Sequence, residues 1–321
     1  MSDQTQMLHE EGLSGLRELV DGTLEFTRGF SRDLGPDPLP GSIAAGELAL
    51  APLHGATNSL QGLLHDTFEM GFSILLPSAS FVLQGLSQLY VPPVVPFAFQ
   101  ILTRSVLEYT ASAWWFMDST ISAEMRASRY LAWVINNGNE MAALGLFSIP
   151  ELEATTPFNG LRIYHSRQAA RARDSGLLVE FANPKRTKQL FGVNNHHDSS
   201  RAVRSIGGQE LPPATRLIDE FFETLQQTGG AAWFKYLASI AHGKSFSLLH
   251  STRVVLNDDG ATAHREGVIQ PQTLVDTTGV ALETYLGAVR THSSLFGYET
   301  VRVDQQLRDL ISALGALSPS P

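Results

Sequence analysis

Two stretches hold the side chains whose types and spacing could do chemistry. In Ile101–Asp118, ILTRSVLEYTASAWWFMD, Arg104 and Glu108 stand four residues apart, a spacing that stacks them on one face of a helix and lets them pair. In Ala231–His250, AAWFKYLASIAHGKSFSLLH, Tyr236, Ser239 and His242 recur every three residues and share a face as well. Each set interrupts an otherwise apolar surface. A charge in such a place is costly unless paired and hydrogen-bonded. Arg104–Glu108 therefore reads either as a clamp in helix packing or as part of a ligand site. Two hydroxyls within two turns of His242 could fix its tautomer.

The two helices are expected to pack together, each supplying partners that the other needs. Arg104, Glu108 and His242 are then the candidate catalytic groups. Arg104 would hold an anion, and His242 would exchange protons. Tyr236 and Ser239 are candidate substrate contacts, joined by Arg126 and Arg129 of the following helical stretch. Arg104 and Glu108 are expected to be largely buried, so Glu108→Ala should cost about 3–5 kcal/mol. The residues name no reaction, and the alternative of a satisfied polar core stays open.

Other chemistry has weaker signals. Ala238–Ser245, ASIAHGKS, fits a relaxed phosphate loop with alanine for the first glycine, but the residues before it read as helix, whereas a working loop follows a buried strand. No cofactor is implied. No Glu-x-x-His, HExxH or GxSxG occurs, and cysteine is absent, which excludes thiolate metal sites and disulfides. His65 and Asp66 are adjacent, so on a helix they point apart. In Asn194–Asp198, NNHHD, the side chains of His196, His197 and Asp198 could bind a metal, but a solvated loop is the expectation. No metal site is expected.

Among 321 residues, 43% are hydrophobic and 17% charged, the balance of a globular chain able to bury a core. The net charge of −9 argues against a general nucleic-acid coat protein. Residues 160–205, however, hold nine Arg/Lys against three acids, a local charge of +6. The basic helix there could meet RNA phosphates, or it is a solvated face or interface rim.

The apolar periodicity predicts helices over 9–33, 46–70, 72–90, 97–117, 122–146, 157–180, 214–228, 231–250, 272–296 and 302–315. Residues 182–213 read as a long polar loop. Asn257-Asp258-Asp259-Gly260 between two β-prone runs predicts a hairpin near 252–269. The expected fold class is all-α, a multi-helix bundle with one short β-hairpin. It divides into an N-terminal helix and linker (1–45), a helical bundle domain (46–300) and a C-terminal helix and tail (301–321). The apolar run 71–102 is broken by Pro77 and by Pro92, Pro93 and Pro96, so no clean membrane span of about 20 residues is expected. The polar N-terminus has no signal-peptide pattern. A cytoplasmic location without a membrane partner follows as the expectation.

Arg-x3-Glu on a helix ending in Trp-Trp, then Arg126 and Arg129, then Tyr236, Ser239, His242 and Gly243 resembles a group of uncharacterised actinobacterial all-α proteins over about residues 46–298. That group is in turn distantly similar to the HEPN superfamily. The resemblance implies a helical bundle, a homodimer, and either nucleotide binding or metal-independent RNase activity of a defence or toxin component. The nuclease members carry Arg-x4-6-His on one helix, and none of the ten histidines here has that neighbour. Two functions are thus expected in turn: binding of an anionic small molecule or nucleotide in a polar pocket, or RNA contact through 160–205.

Overall fold

The computed structural model describes residues 3–34, 37–49, 59–91, 96–144, 157–191, 202–241, 252–256, 263–267 and 270–318. The fold is all-α. Its helices are α1 (Asp3–Leu34), α2 (Ile43–Leu48), α3 (Leu60–Glu69), α4 (Leu76–Gln88), α5 (Pro96–Met117), α6 (Ala123–Ala143), α7 (Pro157–Asp174), α8 (Pro184–Phe191), α9 (Ala214–Thr224), α10 (Gly230–Ala241), α11 (Pro271–Phe296) and α12 (Val301–Leu317). Local chemistry sets several starts. Ser42, Ser59 and Ser122 each accept a hydrogen bond from the backbone N–H three residues on, which satisfies one of the orphan donors of a first turn.

The expected hairpin is present. Strands Thr252–Leu256 and Ala263–Gly267 pair antiparallel, Thr252 opposite Gly267 and Leu256 opposite Ala263. The residues of its turn lie outside the described ones. A second two-stranded antiparallel sheet joins Val179–Phe181 to Val203–Ile206. It and α8 replace parts of the long loop expected over 182–213. The pairing brings together strands more than 20 residues apart in sequence, which no local pattern announces.

Pro77 does not break its helix. A π turn at Met70–Leu75 links α3 to α4 in one helical stretch. Proline lacks an N–H, and its ring clashes with the carbonyl four residues back, here that of Ser73. The wider turn accommodates this and leaves Pro77 in the first turn of α4, where proline is tolerated. Among the described residues, Leu60–Gln88 is the one helical stretch long and apolar enough to cross a membrane, and it is partly buried. The core helix of a soluble protein has the same length and composition.

The chain packs as two compact units interleaved along the sequence: residues 1–39, 72–114 and 213–321 form unit 1, and 40–71 and 115–212 form unit 2. In unit 1, α1, α4, α11 and α12 pack on one another. Leu13, Leu16, Val20, Leu24 and Phe30 of α1 meet Leu83, Leu86, Leu282, Leu286, Leu310 and Leu314 in one core. The N- and C-terminal helices therefore belong to the same core. In unit 2, α6 packs on α3 and α7.

Candidate functional site

The expected pair is formed but is not deep. Arg104 Nε and Nη2 donate to Glu108 Oε1 at 3.1 and 2.9 Å, while the two side chains are 23% and 39% exposed. The pair is shallower than expected because the polar face of α5 stays near solvent. The Arg104 guanidinium also lies over the Phe234 ring, 5.1 Å from its centre, so α5 and α10 do meet in unit 1, at Phe234. On α10 the Ser239 hydroxyl donates to the Tyr236 carbonyl at 2.7 Å, and Tyr236 is half-buried against Trp233. His242, with the rest of Ala238–Ser245 beyond Ala241, lies outside the described residues.

Arg126 and Arg129 stand in unit 2 and have a different job from the expected substrate contact. Arg126 is fully buried. Its Nε donates to Glu47 Oε2 at 2.9 Å and its Nη1 to the Phe116 carbonyl at 2.8 Å, and its Nη2 reaches Glu47 Oε1 and the Ile121 carbonyl at 3.4 Å. Protein acceptors take four of the five N–H donors, and the side chain is sealed from solvent. Burial pushes the Glu47 carboxyl above its ordinary range, against the pull of Arg126. Arg129 donates to the Trp115 carbonyl at 2.6 Å and covers the Trp115 ring, holding the end of α5.

A cleft in unit 1 gathers groups that have spare capacity. It has a volume of 460 Å³ and is walled by α1, the π turn with α4, and α11, within the size range of about 300–1,000 Å³ usual for small-molecule sites. Phe30, Phe72, Leu76, Tyr285 and Val289 give it an apolar wall, and Thr27, Ser31, Ser73 and Ser80 add hydroxyls. Arg28 and Arg32 line it while remaining exposed. Among the described residues neither guanidinium meets a carboxylate, and Arg32 Nε donates to the Arg28 carbonyl at 3.3 Å. Both arginines also border a neighbouring polar groove of 380 Å³ that includes Asp21, Glu25, Gln84 and Gln88.

His292 lines this cleft from α11. It is 4% exposed, stacked on Phe72 at 4.6 Å and leaning on Phe296 at 4.2 Å. Its Nε2 is buried and has no hydrogen-bond partner among the described residues. Burial pushes its pKa down to about 4, so the ring is neutral at neutral pH. The other buried histidine among the described residues shows the contrast. In unit 2 the imidazole of His165 accepts at Nδ1 from the Val203 N–H at 3.0 Å, and its Nε2 lies 2.8 Å from Asn139 Oδ1. With Nδ1 accepting, Nε2 carries the proton and donates. Burial holds this pKa down to about 4 too, but both nitrogens are spent on joining α7, α6 and the second strand.

Three of the nine cations of the basic segment pair with carboxylates in unit 2. Arg171 pairs with Asp66, Arg186 and Arg204 with Glu210 at 3.9 and 2.7 Å, and Arg173 covers Phe181 at 5.2 Å. His196, His197 and Asp198 lie outside the described residues. One group among the described residues has metal-ligand types together: His65, Asp66 and Glu69 on α3, their ligand atoms within 4.8 Å of one another. Adjacency thus does not keep His65 and Asp66 apart, but Asp66 is already taken by Arg171.

Sequence reading passed over His292, Arg28 and Arg32. The available signal was Tyr285, Val289, His292 and Phe296 at spacings of four, three and four, one polar ring in an apolar helical stripe. That pattern alone also fits a satisfied core histidine. No family model, no curated protein and no solved structure matches the chain.

Proposed function

We propose that the protein binds a small anionic molecule in the cleft of unit 1. The observation that carries this is an apolar-walled cleft of 460 Å³ lined by two exposed arginines, which meet no carboxylate among the described residues, and by His292, whose buried Nε2 has no partner among them. A buried polar atom without a partner is uncommon in proteins, and guanidinium pairs bind carboxylate or phosphate groups well. The π turn on the cleft wall agrees, since such turns recur at functional sites. We read the protein as a cytoplasmic binder with no membrane partner. Arg104–Glu108 and Arg126–Glu47 serve the packing in this reading.

An RNA-contacting or RNase-type role of the HEPN kind has less support, because Arg171, Arg186 and Arg204 of the basic segment already pair with protein carboxylates. The test uses 1-anilinonaphthalene-8-sulfonate, an apolar ring system with one anionic group. Its fluorescence should report one saturable site in the wild-type protein. The double variant Arg28→Gln/Arg32→Gln and the blocking variant Ser73→Trp should each weaken it at unchanged melting temperature. Undiminished binding in both would overturn the reading.

A further inference from the structure

Two cavities of unit 1 meet at the same two cations. Arg28 and Arg32 line both the apolar-walled cleft and the polar groove beside it. The helices give the order of the two cavities. On α1 the groove alone takes Asp21, Leu24 and Glu25, and the cleft alone Thr27, Phe30 and Ser31. On α4, which runs the other way with the Ser87 hydroxyl on Asp21 at 2.6 Å, the groove takes Gln84 and Gln88, and the cleft Leu76, Pro77 and Ser80. The groove therefore continues the cleft toward the start of α1, with the arginines at the junction. Arg32 leans that way, its Nε donating to the Arg28 carbonyl at 3.3 Å.

The acids of the groove differ in what they have left. Asp21 is taken by the Ser87 hydroxyl and by Arg17, at 2.6 and 3.6 Å. Glu25 is exposed and has no ion pair among the described residues, although Arg28 stands one turn on. In the cleft, Thr27 and Ser80 both bond the Tyr285 hydroxyl, Ser31 and Ser73 are exposed, and Phe30, Leu76 and Val289 are buried. From this arrangement we infer that the ligand is an apolar amino acid, with its side chain in the cleft, its carboxylate on Arg28 and Arg32, and its ammonium on Glu25. This rests on the proposed anion-binding role of the same cleft and extends it into the groove. Residues three apart on a helix have Cβ atoms about 5–6 Å apart, so the two charges of the ligand must be close neighbours, as they are on one α-carbon. No aromatic ring lines the groove, so it does not suit a quaternary ammonium. A primary ammonium has three donors, which match Glu25 and the amide oxygens of Gln84 and Gln88.

The test compares phenylalanine with 3-phenylpropionate as competitors of bound 1-anilinonaphthalene-8-sulfonate on the full-length protein. The two probes differ only in the α-ammonium. Without a partner that charge would weaken binding, because stripping it of water is costly. In the wild type, phenylalanine should displace the dye at about fivefold lower concentration, the worth of one solvent-exposed ion pair. Glu25→Gln should abolish that advantage while 3-phenylpropionate competes at least as well as before. Equal or weaker competition by phenylalanine in the wild type, or an advantage that survives Glu25→Gln, would overturn the inference and leave the cleft as an anion site. Failure of the dye to bind, or of both acids to displace it, would instead remove the underlying role. Glu25 is exposed and holds no other residue in place, so the variant should fold as the wild type does, and the wild-type comparison stands without it.

Discussion

Two arginine–glutamate pairs in this protein have the same chemistry and opposite burial, and their loss should differ severalfold. Glu47 is the carboxylate of a guanidinium that is 0% exposed, and its own side chain is 10% exposed. Glu47→Ala leaves Arg126 with the carbonyls of Phe116 and Ile121 but with no countercharge. Removing one partner from such a pair costs about 3–5 kcal/mol. Glu108→Ala removes an i,i+4 partner that is 39% exposed, and Arg104 keeps the Phe234 ring. Water screens that charge, and the loss should be about 0.5 kcal/mol or less. The assay is equilibrium urea unfolding followed by circular dichroism, with each variant compared with the wild type at equal protein concentration. Nearly equal losses, or a loss under about 1 kcal/mol for Glu47→Ala, would refute burial as the deciding variable.

The buried histidines make stability sensitive to acid. Both have pKa values lowered from 6.5 to about 4, so their contribution is complete above pH 6.5. It is lost as pH falls from there toward 4, because the unfolded chain takes up protons first. Each is worth about 3 kcal/mol at the bottom of that window. Glu47 and Glu283, raised by burial, pull the other way, so the check is a difference: His292→Phe should lose less stability than the wild type on going from pH 6.5 to 5. Gly230→Ala should cost about 1–3 kcal/mol, since a Cβ there would sit 2.8 Å from the Ile218 carbonyl oxygen and 2.8 Å from the Phe222 ring. A thermal melt unchanged by this variant would show that α9 and α10 are free to separate. Nucleic-acid binding should be weak and lack the steep salt dependence of a surface contacting several phosphates. A salt titration with single-stranded RNA checks this, and a steep slope would restore the basic segment as an interface.

The helices were legible where local patterns decide them. The stripe Leu13, Leu16, Val20, Leu24 and Phe30 specified α1, Ser122 marked the start of α6, and the run Asn257–Gly260 between β-prone segments announced the hairpin. Pro77 lies inside the helix expected over 72–90, but the π turn that accommodates it has no signal in one dimension. Arg104 and Arg126 both sit in apolar helices, and only tertiary packing made one half-buried and the other sealed. The cleft was out of reach for the same reason. Its walls come from residues 27–32, 72–80 and 285–292, and no spacing rule connects them. His165 lies in the basic run RIYHSRQ and His292 in VRTHSSLF, and neither context announces that the first has both nitrogens bonded while the Nε2 of the second has no partner among the described residues.

The central claim is that a small anion occupies the cleft of unit 1, and photolabelling maps this directly. The protein is irradiated with 4-azidobenzoate, digested and read by mass spectrometry. The account predicts labels confined to the peptides that hold residues 27–32, 72–80 and 285–292, suppressed by excess 1-anilinonaphthalene-8-sulfonate and absent from Ser73→Trp. Labels concentrated on residues 160–205, or scattered and indifferent to competitor, would contradict it.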